Sequence, residues 1–103
     1  MTKIEIKPLS VNRAWQGRRY KTDDYERYER DVSLLLPKEI PYGKHLHIEF
    51  GFNSRASDLD NPVKPFLDIL QKKYGFNDNA IEKLTLVKKI VPRGQEYIDF
   101  HFE

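Results

Sequence analysis

The sequence predicts an α+β fold: a single small domain with a mixed sheet and two helices packed against it, in the order β-α-β-α-β-β. Two patterns predict this class. In several short segments apolar side chains recur at every second position, the period of a half-buried strand. Two other segments carry apolar residues three and four positions apart, the period of a helix that covers one face of a sheet. A chain of 103 residues suits one domain, so residues 1–103 are assigned to it.

The first half of the chain contains two strands, a loop and a helix. Residues 3–9 alternate between apolar and polar side chains, as do residues 44–52. Residues 10–21 have no period and are predicted to form a long basic loop. Thr22 or Asp23 is suited to begin a helix. The apolar stripe of this helix consists of Tyr25, Tyr28, Val32 and Leu35.

The second half predicts a helix followed by two strands. Asn61 suits the cap of the helix, Pro62 its first position and Gly75 its end. A strand is predicted over residues 81–91, and a turn over 92–95. The last strand alternates around Ile98, Phe100 and Phe102. We expect the two final strands to pair as an antiparallel hairpin.

Composition limits the classes of function only loosely. The chain has 18 basic and 16 acidic residues, and a formal charge of +2 is too small to indicate nucleic-acid binding by itself. It has no cysteine, which excludes disulfides and thiolate zinc sites. The longest apolar run, residues 34–37, is too short to span a membrane. We therefore expect a cytoplasmic protein with no membrane partner.

The segment S-D-L-D-N-P-V-K, residues 57–64, raises the question of function. In an extended chain Asp58 and Asp60 point to the same side, about 6.5 Å apart. Two carboxylates so placed suit Mg²⁺, which takes oxygen ligands and keeps several waters. The alternative is that both aspartates cap the following helix and face its positive end.

Two further residues bear on this choice. Lys64 falls in the first helical turn, where a cation opposes the helix dipole, but beside carboxylates and a phosphate it would stabilise negative charge. Its alternative is an ion pair with Asp68 four residues on. Asp78 is the candidate third carboxylate, although Asp is also a common turn former. The helix carries the chain away from Asp60, so a shared site requires the following loop to return.

The motifs D-L-D-N-x-x-K, F-x-D-x-L-x-x-x-x-G-F and D-x-x-I occur in this order from residue 58 to residue 81. Their combination resembles the RusA family of Holliday-junction resolvases, small dimeric nucleases of bacteria and their phages. The similarity covers most of the chain, including the basic segments S-V-N-R-A-W and R-R-Y-K-T of residues 10–22. One departure is that only Arg55 precedes D-L-D, where some members carry a dense run of arginines.

The resemblance implies specific roles. Asp58, Asp60 and Asp78 would bind Mg²⁺, for which Mn²⁺ can substitute. Lys64 would assist beside them, and Asp68 would support the site from the helix. The implied reaction is the cleavage of four-way DNA junctions in recombination and repair, by paired symmetric nicks from a homodimer, in a bacterial or phage-infected cell.

A set of basic and polar residues is expected to contact DNA phosphates, and binding should then depend on salt. These residues are Asn12, Arg13, Arg18, Arg19, Lys21 and Arg55. Trp15 and Tyr20 would either stack on exposed bases or pack the loop against the domain.

Three other functions compete with this interpretation. The chain would be a non-catalytic nucleic-acid-binding module if the aspartates only cap the helix. It would be a less selective nuclease of the same fold if it cut forks and flaps as well. Zinc chemistry through His45 and His47 is the third, but His101 is the only other histidine, and such histidines more often form a solvated strand face.

Overall fold

The computed structural model describes residues 2–9, 15–16, 20–56 and 59–103, with the backbone alone at residues 15, 16, 20, 21 and 78. The strands are β1 (Thr2–Ile4), β2 (Trp15–Gln16), β3 (Tyr20–Lys21), β4 (His45–Phe52), β5 (Lys83–Ile90) and β6 (Tyr97–Phe102). The helices are α1 (Asp23–Leu35) and α2 (Val63–Tyr74), and a short 3-10 helix spans Asp78–Ala80. The predicted single domain, with a mixed four-stranded sheet and two helices, is confirmed.

The main sheet has the strand order β1-β6-β4-β5. β4 pairs in parallel with β5 on one side and antiparallel with β6 on the other. The predicted hairpin of the last two strands is therefore wrong, because β4 lies between them. The connection of residues 91–96 steps across two strand spacings, about 10 Å, which six residues span easily.

The predicted basic loop of residues 10–21 also needs correction. β2 and β3 form a small antiparallel pair, in which Trp15 is opposite Lys21 and Gln16 is opposite Tyr20. Residues 10–14 and 17–19 lie outside the described residues.

One face of the sheet forms the core with both helices. The alternation of β4 puts Leu46, Ile48 and Phe50 on this face, each at most 1% exposed. The helices cover it with Tyr25, Tyr28, Val32, Phe66, Ile69 and Leu70, all buried. The other face of β4, β6 and β1 carries polar side chains, and neither of the two helices in the described part of the chain packs on it, so its chemistry is available for a function.

Both helices begin and end for local reasons. The Tyr25 N–H donates to the Thr22 hydroxyl at 3.1 Å, so Thr22 is the cap of α1. The prediction that Leu35 faces the core is wrong: it is 49% exposed, and Leu36 is buried instead. The chain becomes extended at Leu36, which turns that side chain inward. α2 ends as predicted at Gly75, whose φ of 76° favours glycine.

β5 is an edge strand and is only partly covered. Leu84 and Ile90 share the helix side of the sheet, yet they are 41% and 45% exposed because the helices do not reach that edge. Lys83 and Lys89 are exposed on the same strand, and edge lysines discourage pairing with other chains. Neither helix in the described part of the chain offers the length and apolarity that a bilayer crossing requires.

A matched pair of leucine substitutions tests this core. Leu46→Ala is expected to lower the free energy of unfolding by about 3–5 kcal/mol, because Leu46 is fully buried. Leu34→Ala removes the same atoms from a side chain that is 78% exposed, and should change it by less than about 0.5 kcal/mol. Denaturant titration followed by circular dichroism measures both. Equal losses would contradict the assignment of the core face.

Candidate active site

The segment that connects β4 to α2 places Asp60 at the surface. β4 ends at Phe52, and the chain then runs through residues 53–62 to the first turn of α2. Asp60 is exposed, and its backbone carbonyl accepts the Val63 N–H at 3.1 Å. Its carboxylate therefore lies at the start of α2, open to solvent and to a substrate. Asp58 lies outside the described residues, so the predicted pairing of the two carboxylates stays a prediction.

The start of α2 differs from its prediction by one residue. Asn61 was expected to cap the helix, but Pro62 occupies the cap position and makes no side-chain cap hydrogen bond. The first turn of α2 contains no acidic residue. The positive end of the helix dipole is thus left without a charged partner on the helix itself, which favours an anion nearby.

Lys64 and Asp68 form the ion pair that was one of the two predicted alternatives. The Lys64 Nζ is 3.1 Å from Asp68 Oδ1, and the side chains are 63% and 29% exposed. This pair extends along the outer surface of α2 from its first turn. An ammonium group has three donors, and among the described residues Asp68 is the one acceptor that Lys64 contacts, so donors remain for a phosphate.

Asp78 lies at the opposite end of the sheet from Asp60. The rings of Phe76 and Phe102 are 5.6 Å apart, and the Glu82 N–H donates to the Lys44 carbonyl at 2.8 Å. Both contacts belong to the end where β4 begins, and Asp78 lies between them in the chain. Asp60 follows the end where β4 finishes.

The separation between these two positions is set by α2, whose 12 residues span about 18 Å. Two oxygens that bind one Mg²⁺ lie at most about 4.2 Å apart. The loop after α2 does not return toward Asp60, so Asp60 and Asp78 of a single chain do not share an ion.

A cleft of about 530 Å³ lies beside the start of α2. Its walls come from the segment after β1, from α1, and from the chain around Phe52 and Pro62. Its charged residues have both signs, and two of them, Arg27 and Asp24, form an ion pair at 2.8 Å. This mixture provides no clear selection for an anion, so the cleft adds little to the assignment of a phosphate site.

Arg55 is the one predicted DNA-contacting residue whose side chain is described, and it is exposed. Asn12, Arg13, Arg18 and Arg19 lie outside the described residues, and of Lys21 only the backbone is described. The structure adds Lys88, whose Nζ donates to the Arg55 carbonyl at 2.8 Å. This contact ties the loop after β4 to β5. Sequence reasoning missed it because the two residues are 33 positions apart.

The histidines form a second group of functional side chains, on the face of the sheet without helices. His45 and His47 follow each other on one side of β4, and His101 of β6 lies opposite His47. The His47 and His101 rings stack with their centroids 4.5 Å apart. Glu103 contacts all three rings, with nitrogen-to-oxygen distances of 3.2–3.4 Å.

His45, His47 and Glu103 form a cluster able to hold a metal ion, with ligand atoms that all lie within 4.8 Å of one another. Burial and the nearby His47 and Lys83 lower the pKa of His45, which keeps its imidazole neutral at pH 7. The hydrogen bond from His101 and the nearby imidazoles lower the pKa of the Glu103 carboxyl, which is therefore ionised. Sequence reasoning had identified the H-x-H pair but not Glu103.

Comparison with known proteins adds no relative to the motif resemblance. Neither the scan against protein-family models nor the search of curated proteins found a match to this chain.

Replacing Lys64 tests whether its ion pair is structural. Lys64→Gln is expected to change the free energy of unfolding by less than about 0.5 kcal/mol, because exposed pairs contribute little and the lysine opposes the helix dipole. Chemical denaturation measures this, with Asp68→Asn and the double variant completing the cycle. A loss well above 1 kcal/mol would instead make the pair a structural contact.

Proposed function

We propose that this chain is a Mg²⁺-dependent endonuclease that cuts branched DNA, four-way junctions above all, as a two-fold homodimer in the cytoplasm. One observation carries the proposal. The motif D-L-D-N-P-V-K runs from the connection after β4 into the first turn of α2, Asp60 within it is exposed, and D-x-x-I follows that helix. The first and last of the RusA-like motifs thus fall at the two ends of α2, in the kind of connecting segment that often carries binding and catalytic residues.

The residues present suit Mg²⁺ in type. Asp60 offers an exposed carboxylate, and Mg²⁺ is commonly bound by one or two carboxylates together with waters and substrate phosphate. When bound, the ion would activate a water for attack on the phosphodiester and stabilise the leaving 3′-oxygen. Asp58 and Asp60 would hold it from one chain, and Asp78 would complete the ligands.

Lys64 would act on the phosphate rather than on the ion. Lys64 follows Asp60 by four residues and belongs to the first turn of α2, near the end of the helix where an anion is favoured. Asp68 holds the lysine by its 3.1 Å contact, so Asp68 is a positioning residue. A fixed cation beside the phosphate stabilises the charge that develops in the transition state.

A dimer resolves the separation of Asp60 and Asp78. One chain holds them at opposite ends of α2, so a complete set of three carboxylates requires Asp78 from a second copy. A two-fold axis would then create two equal sites, each with Asp58 and Asp60 of one copy and Asp78 of the other. Two equal sites also suit a four-way junction, whose resolution needs two symmetric cuts.

Of the three proposed carboxylate ligands, Asp60 is the one whose side chain the structure describes. Asp60→Asn is expected to lower Mg²⁺-dependent cleavage of a mobile four-way junction at least about 100-fold, because a lost ligand forfeits most of the ion's contribution to the transition state. Single-turnover cleavage of labelled junctions, with Mg²⁺ or with a chelator, measures this.

Asp31→Asn is the matched control, since it makes the same change on an exposed carboxylate of α1. It should cleave like the unaltered chain. Full activity of Asp60→Asn would leave a non-catalytic nucleic-acid-binding module as the better description. Equal cleavage of junction, flap and linear duplex would favour the less selective nuclease.

The shared site is tested by mixing inactive chains. If Asp78 comes from the partner, a dimer of one Asp60→Asn chain and one Asp78→Asn chain has both changes in one site and an intact second site. Random mixing should then restore roughly a quarter of the nicking sites, and the products should be single nicks. Differently tagged chains, refolded together, allow the measurement.

Mixing Asp60→Asn with Asp58→Asn is the control. These two residues belong to the same end of one chain, so each site keeps one defect and no activity should return. Failure of the Asp60 and Asp78 mixture to recover, with each variant folded and dimeric, would reject the shared site but leave the nuclease assignment to the Asp60 test.

A further inference from the structure

The face of the sheet without helices carries a concentration of imidazoles. All three histidines of the 103-residue chain, His45, His47 and His101, lie side by side there, although one of them is more than fifty residues from the others in sequence. Glu103 adds a carboxylate to the same group. The chain has no cysteine. The three imidazoles are therefore its only side chains of the kind that favours Zn²⁺ and similar ions over Mg²⁺.

We propose that His45, His47 and Glu103 form a binding site for a Zn²⁺-like transition-metal ion, separate from the proposed Mg²⁺ site. Three protein ligands of the His₂Glu type, with a fourth position for water, match a common zinc arrangement. The ion would join β4 to the chain after β6, at the end of the sheet where β4 begins.

The distances suit such an ion. Two ligand atoms that each lie about 2.05 Å from a tetrahedral zinc ion are about 3.3 Å apart. The His45 Nδ1 is 3.3 Å from Glu103 Oε2, and the His47 Nε2 is 3.4 Å from Glu103 Oε1. No pair of ligand atoms in the cluster exceeds 4.8 Å, so the widest needs to close by at most about 1.5 Å.

The hydrogen bonds of the cluster leave nitrogen atoms available for the ion. The His47 Nε2 is buried and has no hydrogen-bond partner among the described residues, although it lies 3.4 Å from Glu103 Oε1. A buried nitrogen of this kind is unfavourable unless something binds it. This nitrogen is therefore available as a ligand atom beside Glu103.

His45 has the outer contact that metal-binding histidines usually have. Its Nε2 is 2.7 Å from the Thr85 hydroxyl, while its Nδ1 faces Glu103. When Nε2–H donates to the hydroxyl, Nδ1 presents a lone pair toward a carboxylate, and a cation between them is favourable. Without metal the hydroxyl donates instead, and Nδ1–H donates to Glu103. Binding thus favours the tautomer of His45 with its proton on Nε2 rather than on Nδ1, and the imidazole stays neutral.

Co²⁺ provides a direct test, because its visible spectrum reports nitrogen ligands and low coordination number. The full chain is titrated with Co²⁺ in the presence of excess Mg²⁺, and Zn²⁺ then displaces it. We expect d–d bands that saturate at one ion per chain and disappear with Zn²⁺. The melting temperature should rise with Zn²⁺ concentration.

The variants separate ligands from neighbours. His47→Gln and Glu103→Gln should each weaken binding more than about 100-fold, and Thr85→Val, which removes the outer contact, by about 10- to 100-fold. Glu49→Gln, on the same face of β4, should bind like the unaltered chain. Asp60→Asn should also bind normally, because it alters only the proposed nuclease site.

Each outcome decides the proposal. Absent or non-saturating bands would overturn it, and so would undiminished binding by both His47→Gln and Glu103→Gln. If one of these variants does not fold, the other and the milder Thr85→Val still test it. Loss of binding with intact Mg²⁺-dependent cleavage would establish that the two sites are independent.

Discussion

β4 and β5 pair in parallel, and this pairing determines where Asp60 and Asp78 lie in the chain's fold. A chain that leaves the end of one strand must travel the whole length of the sheet before it begins a parallel neighbour. In this chain α2 forms that connection, and it packs on the sheet through Phe66, Ile69 and Leu70. Residues before α2 and residues after it are consequently held at opposite ends of the sheet. Asp60 and Asp78 belong to these two groups.

The alternation of side chains along β4 gives its two faces different environments. Its inward side chains are apolar and buried beneath both helices, while its outward side chains include His45, His47 and Glu49. Glu49 accepts a hydrogen bond from the Tyr97 hydroxyl at 2.6 Å, and burial together with this bond raises the pKa of Tyr97 to about 12. The outward face is therefore an ordered polar surface, in which side chains are fixed by one another as well as by the strands.

Local signals in the sequence predicted the elements well. The alternation of β4, the stripe of α1 and the glycine at the end of α2 depend on neighbours within one or two turns, so they can be recognised without the fold. The strand order could not be predicted in this way. A turn at residues 92–95 suits a hairpin, but competition for the apolar strand β4 placed β5 and β6 on its two sides.

The candidate sites show the same division between local and distant information. The ion pair of Lys64 and Asp68 follows from their spacing of four residues. The loop contact of Lys88 and the meeting of His101 and Glu103 with β4 depend on strand pairing, and spacing alone contains no sign of them. Asp60 and Asp78 lie at opposite ends of the sheet because β4 and β5 are parallel. If the two strands were antiparallel, the chain would have to return to the end of β4, near Asp60, before β5 began.

The positions of the two proposed metal sites follow from this architecture. The segment from Asp58 to Lys64, which leads into the first turn of α2, offers carboxylate oxygens and one lysine, a set that suits a hard ion with phosphate. The outward face at the beginning of β4 offers imidazoles, which suit a softer ion. The eight residues of β4 separate these two ends by about 23 Å. Within one chain that distance, with solvent between, largely screens the charges of Asp60 and Lys64 from an ion at the histidines, so the ligand atoms at each end decide which metal is preferred there.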